Sequence, residues 1–187
     1  MIARGMLVLV QHLIRGGRYG RGRVTKLGRL LARFEAQPGR HFVGARARGM
    51  AERVARLKRE LTEAIGEVRA CAGCAEGCVT PSGYFEGGRC CGTSTLEVFS
   101  QGEVRAIKLA GVAAPREPAA GGADEAGCLF RGPTGCSVEP EARPTKCLVY
   151  VCAELRIELE DTPRFERIQG LRQELDDAFA ELERATA

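Results

Sequence analysis

The sequence predicts a mainly α fold in which two long amphipathic helices flank an irregular, cysteine-rich segment. Apolar residues recur every three or four positions between about 46 and 70, and again after Thr162-Pro163. The chain between them is rich in glycine and proline, and it contains all nine cysteines, from Cys71 to Cys152. Two such stripes favour helices that pack on each other and hold the irregular segment at one end.

The first long helix has an apolar stripe made of residues that step by three or four positions. They are Met50, Val54, Leu57, Leu61, Ile65 and Val68, and charged residues that include Lys58 are assigned to the other faces. Thr162 is predicted to cap the second helix, with Pro163 at its first position. Between the two, Ser100 and Glu103 have the spacing of a capping box, which predicts a short helix that ends near Gly111.

We divide the chain into two parts. Residues 1–45 form a basic, Arg/Gly-rich N-terminal region with a short helix, which Pro38-Gly39 ends. Residues 46–187 form a helical scaffold that encloses the cysteine-rich segment 71–152. Whether the stripes also pair with another subunit stays open, because a stripe buried within a chain looks like one buried between chains.

Positive charge is concentrated in the N-terminal part. Residues 1–70 contain 16 Lys and Arg against 5 Glu, a balance of +11, and the remainder carries −7, which gives the total of +4. Arginine and glycine alternate from Arg15 to Arg23, as in segments that neutralise phosphates and stack on bases. The pattern favours a solvated basic linker, and nucleic acid is the alternative, as a candidate partner.

The N-terminus does not resemble a secretion signal. The apolar run from Met6 to Val10 is interrupted by Gln11-His12 and lacks a cleavage site, and no transmembrane run of apolar residues occurs. A disulfide framework would need an oxidising compartment and would leave one of the nine thiols unpaired. We therefore predict a cytoplasmic protein with reduced thiols that does not enter a membrane.

Clustered thiols with only His12 and His41 as imidazoles indicate a centre for a soft or borderline metal. The predicted ligands are Cys71, Cys74, Cys78, Cys90, Cys91, Cys128, Cys136 and Cys147, and Cys152 is predicted to be a buried thiol. Buried thiols that continue the first helical stripe are the alternative for Cys71, Cys74 and Cys78. Arg143 is a candidate counter-charge. Cysteine thiolates suit zinc and iron–sulfur clusters, and the adjacent pair Cys90-Cys91 favours a cluster.

These motifs resemble the YkgJ-like cysteine-cluster family, the zinc- or iron-chelating domain with a CxxCxxCC pattern. The resemblance rests on Cys71-Ala-Gly-Cys74, Cys90-Cys91, the helix with Glu103, Gly-Cys128-Leu-Phe, Gly-Cys136-Ser-Val and Arg143-Pro144-x-x-Cys147 with Tyr150. This chain departs from the pattern at Cys78 and at residues 79–89, which separate the first two cysteines from the pair. The resemblance covers under half of the chain and implies metal or iron–sulfur binding; a similar cluster occurs in flagellin lysine methylases.

The sequence favours a metal- or iron–sulfur-binding module with an accessory, sensing or electron-transfer role. One alternative is a cluster-containing enzyme, with methyl transfer as the candidate reaction, and another is a zinc-stabilised nucleic-acid-binding protein. The binding module is favoured because no glycine fingerprint for a nucleotide or for S-adenosylmethionine follows a predicted strand, and because 187 residues are few for a transferase domain plus the cluster.

Overall fold

The structure, a computed structural model, describes residues 21–68, 94–120, 127–132 and 135–186, together with the backbone of two short strands at 78–79 and 85–86. Helices dominate this part of the chain, so the mainly α class is confirmed. The helices are α1 (Arg21–Ala36), α2 (Ala45–Ile65), α3 (Thr95–Val98), α4 (Gln101–Leu109), α5 (Thr145–Val149), α6 (Ala153–Leu159) and α7 (Phe165–Thr186), with 3-10 turns at Arg40–Phe42 and Pro140–Ala142. The strands are β1 (Cys78–Val79), β2 (Phe85–Glu86), β3 (Arg131–Gly132) and β4 (Gly135–Cys136), paired antiparallel as β1 with β2 and β3 with β4.

Helices α2 and α7 pack against each other through their apolar faces. The two helices contribute these buried side chains to one core: Ala51, Val54, Leu57 and Leu61 of α2, and Ile168, Leu175, Ala178 and Leu182 of α7. Burial of this many aliphatic side chains is the main stabilising term for such a pair. Within the described residues, no helix combines the length and the apolar character needed to cross a bilayer.

The ends of these two helices differ from the prediction. Helix α2 stops at Ile65 because Gly66 has a φ of 63°, a conformation that suits glycine, and its N–H donates to the Thr62 carbonyl. Val68 lies beyond the helix yet still packs against the same core. The hydroxyl of Thr162 donates to the Leu159 carbonyl at 2.6 Å and so closes α6, and α7 begins only at Phe165. The prediction that Thr162 caps α7 is therefore wrong.

A second core joins α1 to α3, α4 and the chain around residue 130. Leu27, Leu30 and Phe34 of α1 are buried in it. The ring of Phe99 lies at its centre, 6.5 Å from the ring of Phe34 and 5.5 Å, edge-on, from the ring of Phe130, measured between centroids. Helix α1 thus shares a core with the segment that carries Cys128.

After α4, residues 112–120 contain no helix or strand, and residues 121–126 lie outside the described residues.

Candidate metal centre

The described structure includes only part of the predicted ligand set. Four of the eight predicted ligands lie outside the described residues, namely Cys71, Cys74, Cys90 and Cys91. Cys78 is described only by its backbone, which pairs with Glu86 in the first hairpin. The other three predicted ligands, Cys128, Cys136 and Cys147, have described side chains.

Thr95, the first residue of α3, holds the loop that carries Cys128. Its N–H donates to the Gly127 carbonyl at 3.2 Å, and its hydroxyl accepts from the N–H of Leu129 at 2.8 Å. The two hydrogen bonds fix the backbone on both sides of Cys128, whose side chain is buried. The position of this thiol is thus set by a helix that begins shortly after the undescribed residues 87–93.

Cys136 ends the β3–β4 hairpin. It pairs with Arg131, and the N–H of the next residue, Ser137, donates to the Phe130 carbonyl at 2.9 Å. Gly135 has a φ of 113°, which residues with a side chain rarely adopt, so glycine is required at this turn. Cys128 precedes the first strand and Cys136 ends the second, so both lie toward the open end of one hairpin. The side chain of Cys136 is exposed.

Cys147 lies in the first turn of α5, and a buried carboxylate holds that turn. The N–H of Thr145 donates to Glu103 Oε1, and the other carboxylate oxygen of Glu103 lies 2.7 Å from Lys58 Nζ. Lys58 and Glu103 are 1% and 3% exposed. Burying either charge without the other would cost free energy, so the two side chains can be buried here only as a pair.

The Lys58–Glu103 pair corrects two predictions. Lys58 was assigned to a polar face of α2, but it is buried, because its partner comes from α4, 45 residues away in sequence. Ser100 does cap α4, since its hydroxyl accepts from the N–H of Glu103 at 3.2 Å. The carboxylate of Glu103, however, bonds to Lys58 and Thr145 instead of completing the predicted capping box.

A complete capping box occurs one helix earlier, at Ser94 and Glu97. The N–H of Ser94 donates to Glu97 Oε2 at 2.9 Å, and the Ser94 side chain accepts from the N–H of Glu97. Hydrogen bonds from the Ser94 side chain and backbone hold the pKa of Glu97 below its usual range. Sequence reasoning missed this box, although the Ser-x-x-Glu spacing is the signal that could have found it.

The structure also describes contacts of Arg143, the predicted counter-charge, and of Cys152, the cysteine outside the predicted ligand set. Arg143 Nε donates to the Val138 carbonyl at 2.8 Å and so ties together the chain between β4 and α5. Cys152 is the N-cap of α6, and its Sγ accepts from the N–H of Leu155 at 3.4 Å. Cys152 was predicted to be buried, but it is half-buried and packs against the core between α2 and α7. Cys128 and Cys147 contact the core around Phe99.

Some of the N-terminal positive charge is used inside the molecule. Arg23, the last residue of the arginine–glycine run, is 4% exposed, and its guanidinium donates to the carbonyls of Ala119 at 3.1 Å and Leu129 at 2.6 Å. Arg33 donates in the same way to the carbonyls of Leu96 and Phe99. These arginines attach α1 to the rest of the fold. Residues 1–20, which contain most of the run, lie outside the described residues.

Among the residues with described side chains, no three His, Cys, Asp or Glu side chains come together in a group that could hold a metal ion. Within the described residues, Cys128, Cys136 and Cys147 are therefore not brought together into one metal-binding group. Comparison with known proteins finds no family model that matches, and no curated protein or solved structure matches the chain either.

Proposed function

We propose that this protein binds zinc or an iron–sulfur cluster through the cysteines of segment 71–152 and serves as an accessory, sensing or electron-transfer module. The observation that carries the proposal is the confinement of all nine cysteines to 82 of the 187 residues. Its proposed ligands are the eight cysteines other than Cys152, and α2 and α7 form the scaffold that holds them.

The exposure of Cys136 supports this proposal over a role as core filler. Free cysteine that serves only packing is among the most buried residue types in proteins. Cys136, by contrast, is exposed, whereas Cys128 is buried and Cys147 and Cys152 are half-buried. An exposed thiol on a hydrogen-bonded hairpin is accessible to a metal ion that is also bound by another segment.

The anchoring contacts also support the proposal. Cys128 is fixed through Thr95, Cys136 through a hairpin with a glycine turn, and Cys147 through Glu103. Thr95 belongs to α3 and Glu103 to α4, so the segments of Cys128 and Cys147 are attached to two different helices. Cys136 is held within its own hairpin. These contacts fix the backbone that carries the thiols, and metal affinity depends on how well the surrounding structure orients the ligands.

The resemblance to the YkgJ-like cysteine-cluster family includes several of these residues. Glu103, Cys128, Cys136, Arg143-Pro144 and Cys147 belong to the shared motifs. The adjacent Cys90-Cys91 leads us to favour an iron–sulfur cluster over zinc, because several irons in one cluster can accept converging thiolates.

Elemental analysis of protein purified without oxygen tests the proposal. We expect stoichiometric iron with labile sulfide and a brown colour, or stoichiometric zinc in a colourless protein. Cys128→Ser, Cys136→Ser and Cys147→Ser should each reduce the bound metal, and Cys152→Ser is the matched control. Protein that contains neither metal in stoichiometric amount would contradict the proposal.

A further inference from the structure

We propose that Glu103, neutralised by Lys58, is a positioning residue that fixes Cys147 for metal binding. This inference rests on the metal site proposed above and adds to it a residue that does not touch the metal. Glu103 contacts two elements at once, Lys58 of α2 and Thr145 at the start of α5.

The buried N–H of Thr145 needs the carboxylate of Glu103. Thr145 is 3% exposed, so water is not available as a substitute acceptor. Helix α5 has only five residues, and a helix this short is not stable on its own. Its first turn is therefore held by tertiary contacts, of which the bond to Glu103 is the one made at the first residue.

Cys147 is two residues after Thr145, within the same turn. Its N–H donates to the Pro144 carbonyl at 2.9 Å, so its backbone belongs to the turn that Glu103 anchors. If that turn opens, the direction of the Cys147 side chain is no longer defined. Misplacement of a ligand lowers metal affinity even when the ligand itself is unchanged.

Lys58 neutralises the charge of the Glu103 carboxylate near the proposed metal site. A four-thiolate zinc site carries a net charge of about −2, and an unpaired carboxylate nearby would repel it. Lys58 Nζ lies 2.7 Å from Glu103 Oε2 and 6.0 Å from the centre of the Phe179 ring of α7. The pair is thus neutral overall and is attached to the scaffold on two sides.

Two double variants separate the hydrogen bond from the charges. Lys58→Met with Glu103→Gln removes both charges and keeps an acceptor for the N–H of Thr145. Lys58→Met with Glu103→Leu removes both charges and the acceptor. Leu175→Ala is the matched control for general destabilisation, because it creates a cavity between α2 and α7 and leaves Lys58, Glu103 and Thr145 unchanged.

For a zinc protein the measurement is zinc affinity by chelator competition, and for an iron–sulfur protein it is the iron and labile sulfide retained per chain, in both cases on anaerobically purified protein whose folded state is checked by circular dichroism. We expect the Leu double variant to bind zinc roughly 10- to 100-fold more weakly than wild type, or to retain less of its cluster, because the turn that positions Cys147 is lost. The Gln double variant should stay within about threefold of wild type, and so should Leu175→Ala. In cobalt-substituted protein, the Leu double variant should also lose part of the thiolate-to-cobalt absorption, which the other variants keep.

The outcomes distinguish this inference from the proposed function. Equal affinities of the two double variants would overturn the positioning role and leave the metal site standing. A wild-type protein without zinc or iron would overturn the metal site itself, and the positioning role with it. If the Leu double variant does not fold, Glu103→Asp replaces it, because the shorter side chain cannot reach both Lys58 and Thr145; unchanged affinity there would also overturn the inference.

Discussion

Lys58 Nζ lies 2.7 Å from Glu103 Oε2, and the two side chains are 1% and 4% exposed. The pair joins the centre of α2 to the first turn of α4, and through Thr145 it reaches α5 as well. A buried ion pair adds little stability relative to a well-packed apolar pair, but loss of one partner leaves the other charge uncompensated. Removal of either residue alone is therefore expected to destabilise the fold.

Lys58→Met should lower the free energy of unfolding by about 3–5 kcal/mol, because the carboxylate of Glu103 would remain buried without its cation. Urea denaturation measures this loss. Adding Glu103→Gln should recover part of it, since the double variant buries no charge. A double variant as unstable as the single one would contradict this explanation.

An exposed ion pair between α2 and α7 is the control for this prediction. Arg53 and Glu174 lie 3.0 Å apart, but their side chains are 44% and 47% exposed. Arg53→Met should change the free energy of unfolding by less than about 1 kcal/mol, because solvent screens exposed pairs. Equal losses for Arg53→Met and Lys58→Met would show that burial of the Lys58 pair has no special effect.

Thr145→Val should stabilise the protein, by about 1 kcal/mol, because a buried hydroxyl without a partner is costly. Thr145 Oγ1 is buried and has no hydrogen-bond partner among the residues that the structure describes. Valine has nearly the same shape and preserves the backbone N–H that donates to Glu103. Thermal unfolding checks the sign, and a lower melting temperature would indicate that the hydroxyl has a partner after all.

Arg23→Met should detach α1 from the core. The guanidinium donates to the carbonyls of Ala119 and Leu129, and hydrogen bonds from charged donors contribute about 1.5–3 kcal/mol each. We expect faster hydrogen exchange throughout residues 21–36 and a loss of stability of about 3 kcal/mol. Arg29→Met is the control, since Arg29 is exposed on the same helix; similar exchange in both variants would contradict the anchoring role.

Cys152→Ser should keep both the metal and α6, because serine is a good N-cap and can accept from the N–H of Leu155 as the thiol does. Cys152→Ala should keep the metal but lose up to about 1 kcal/mol of stability with the cap. Metal analysis and urea denaturation of both variants check these expectations. If Cys152→Ser loses as much metal as Cys147→Ser, Cys152 belongs to the ligand set.

The capping box at α3 should make stability depend on pH through Glu97. Its pKa in the folded protein is lowered by the Ser94 hydrogen bonds, so the box stabilises the fold above the unfolded pKa of about 4.3. This contribution is lost as the pH falls through the lower, folded pKa. The difference in melting temperature between wild type and Glu97→Gln should therefore shrink in acid. A difference that is constant from neutral to acid pH would contradict the lowered pKa.

The sequence by itself determined the mainly α class and the apolar stripe of α2. The steps from Val54 to Leu61 identify side chains that are at most 1% exposed in α2, because a helix repeats its direction every 3.6 residues. Ser100 likewise identifies the start of α4, because capping is a local interaction. The confinement of the cysteines to 71–152 was visible without any structure.

Only the tertiary structure decided which charged residues are internal and what they bind. Lys58 and Arg23 look like surface cations in the sequence, since periodicity reports the direction of a side chain but not the partner that meets it. Their partners, Glu103 and the carbonyls of Ala119 and Leu129, are 45, 96 and 106 residues away. A buried charge is stable only where such a partner arrives, and that depends on how the whole chain packs.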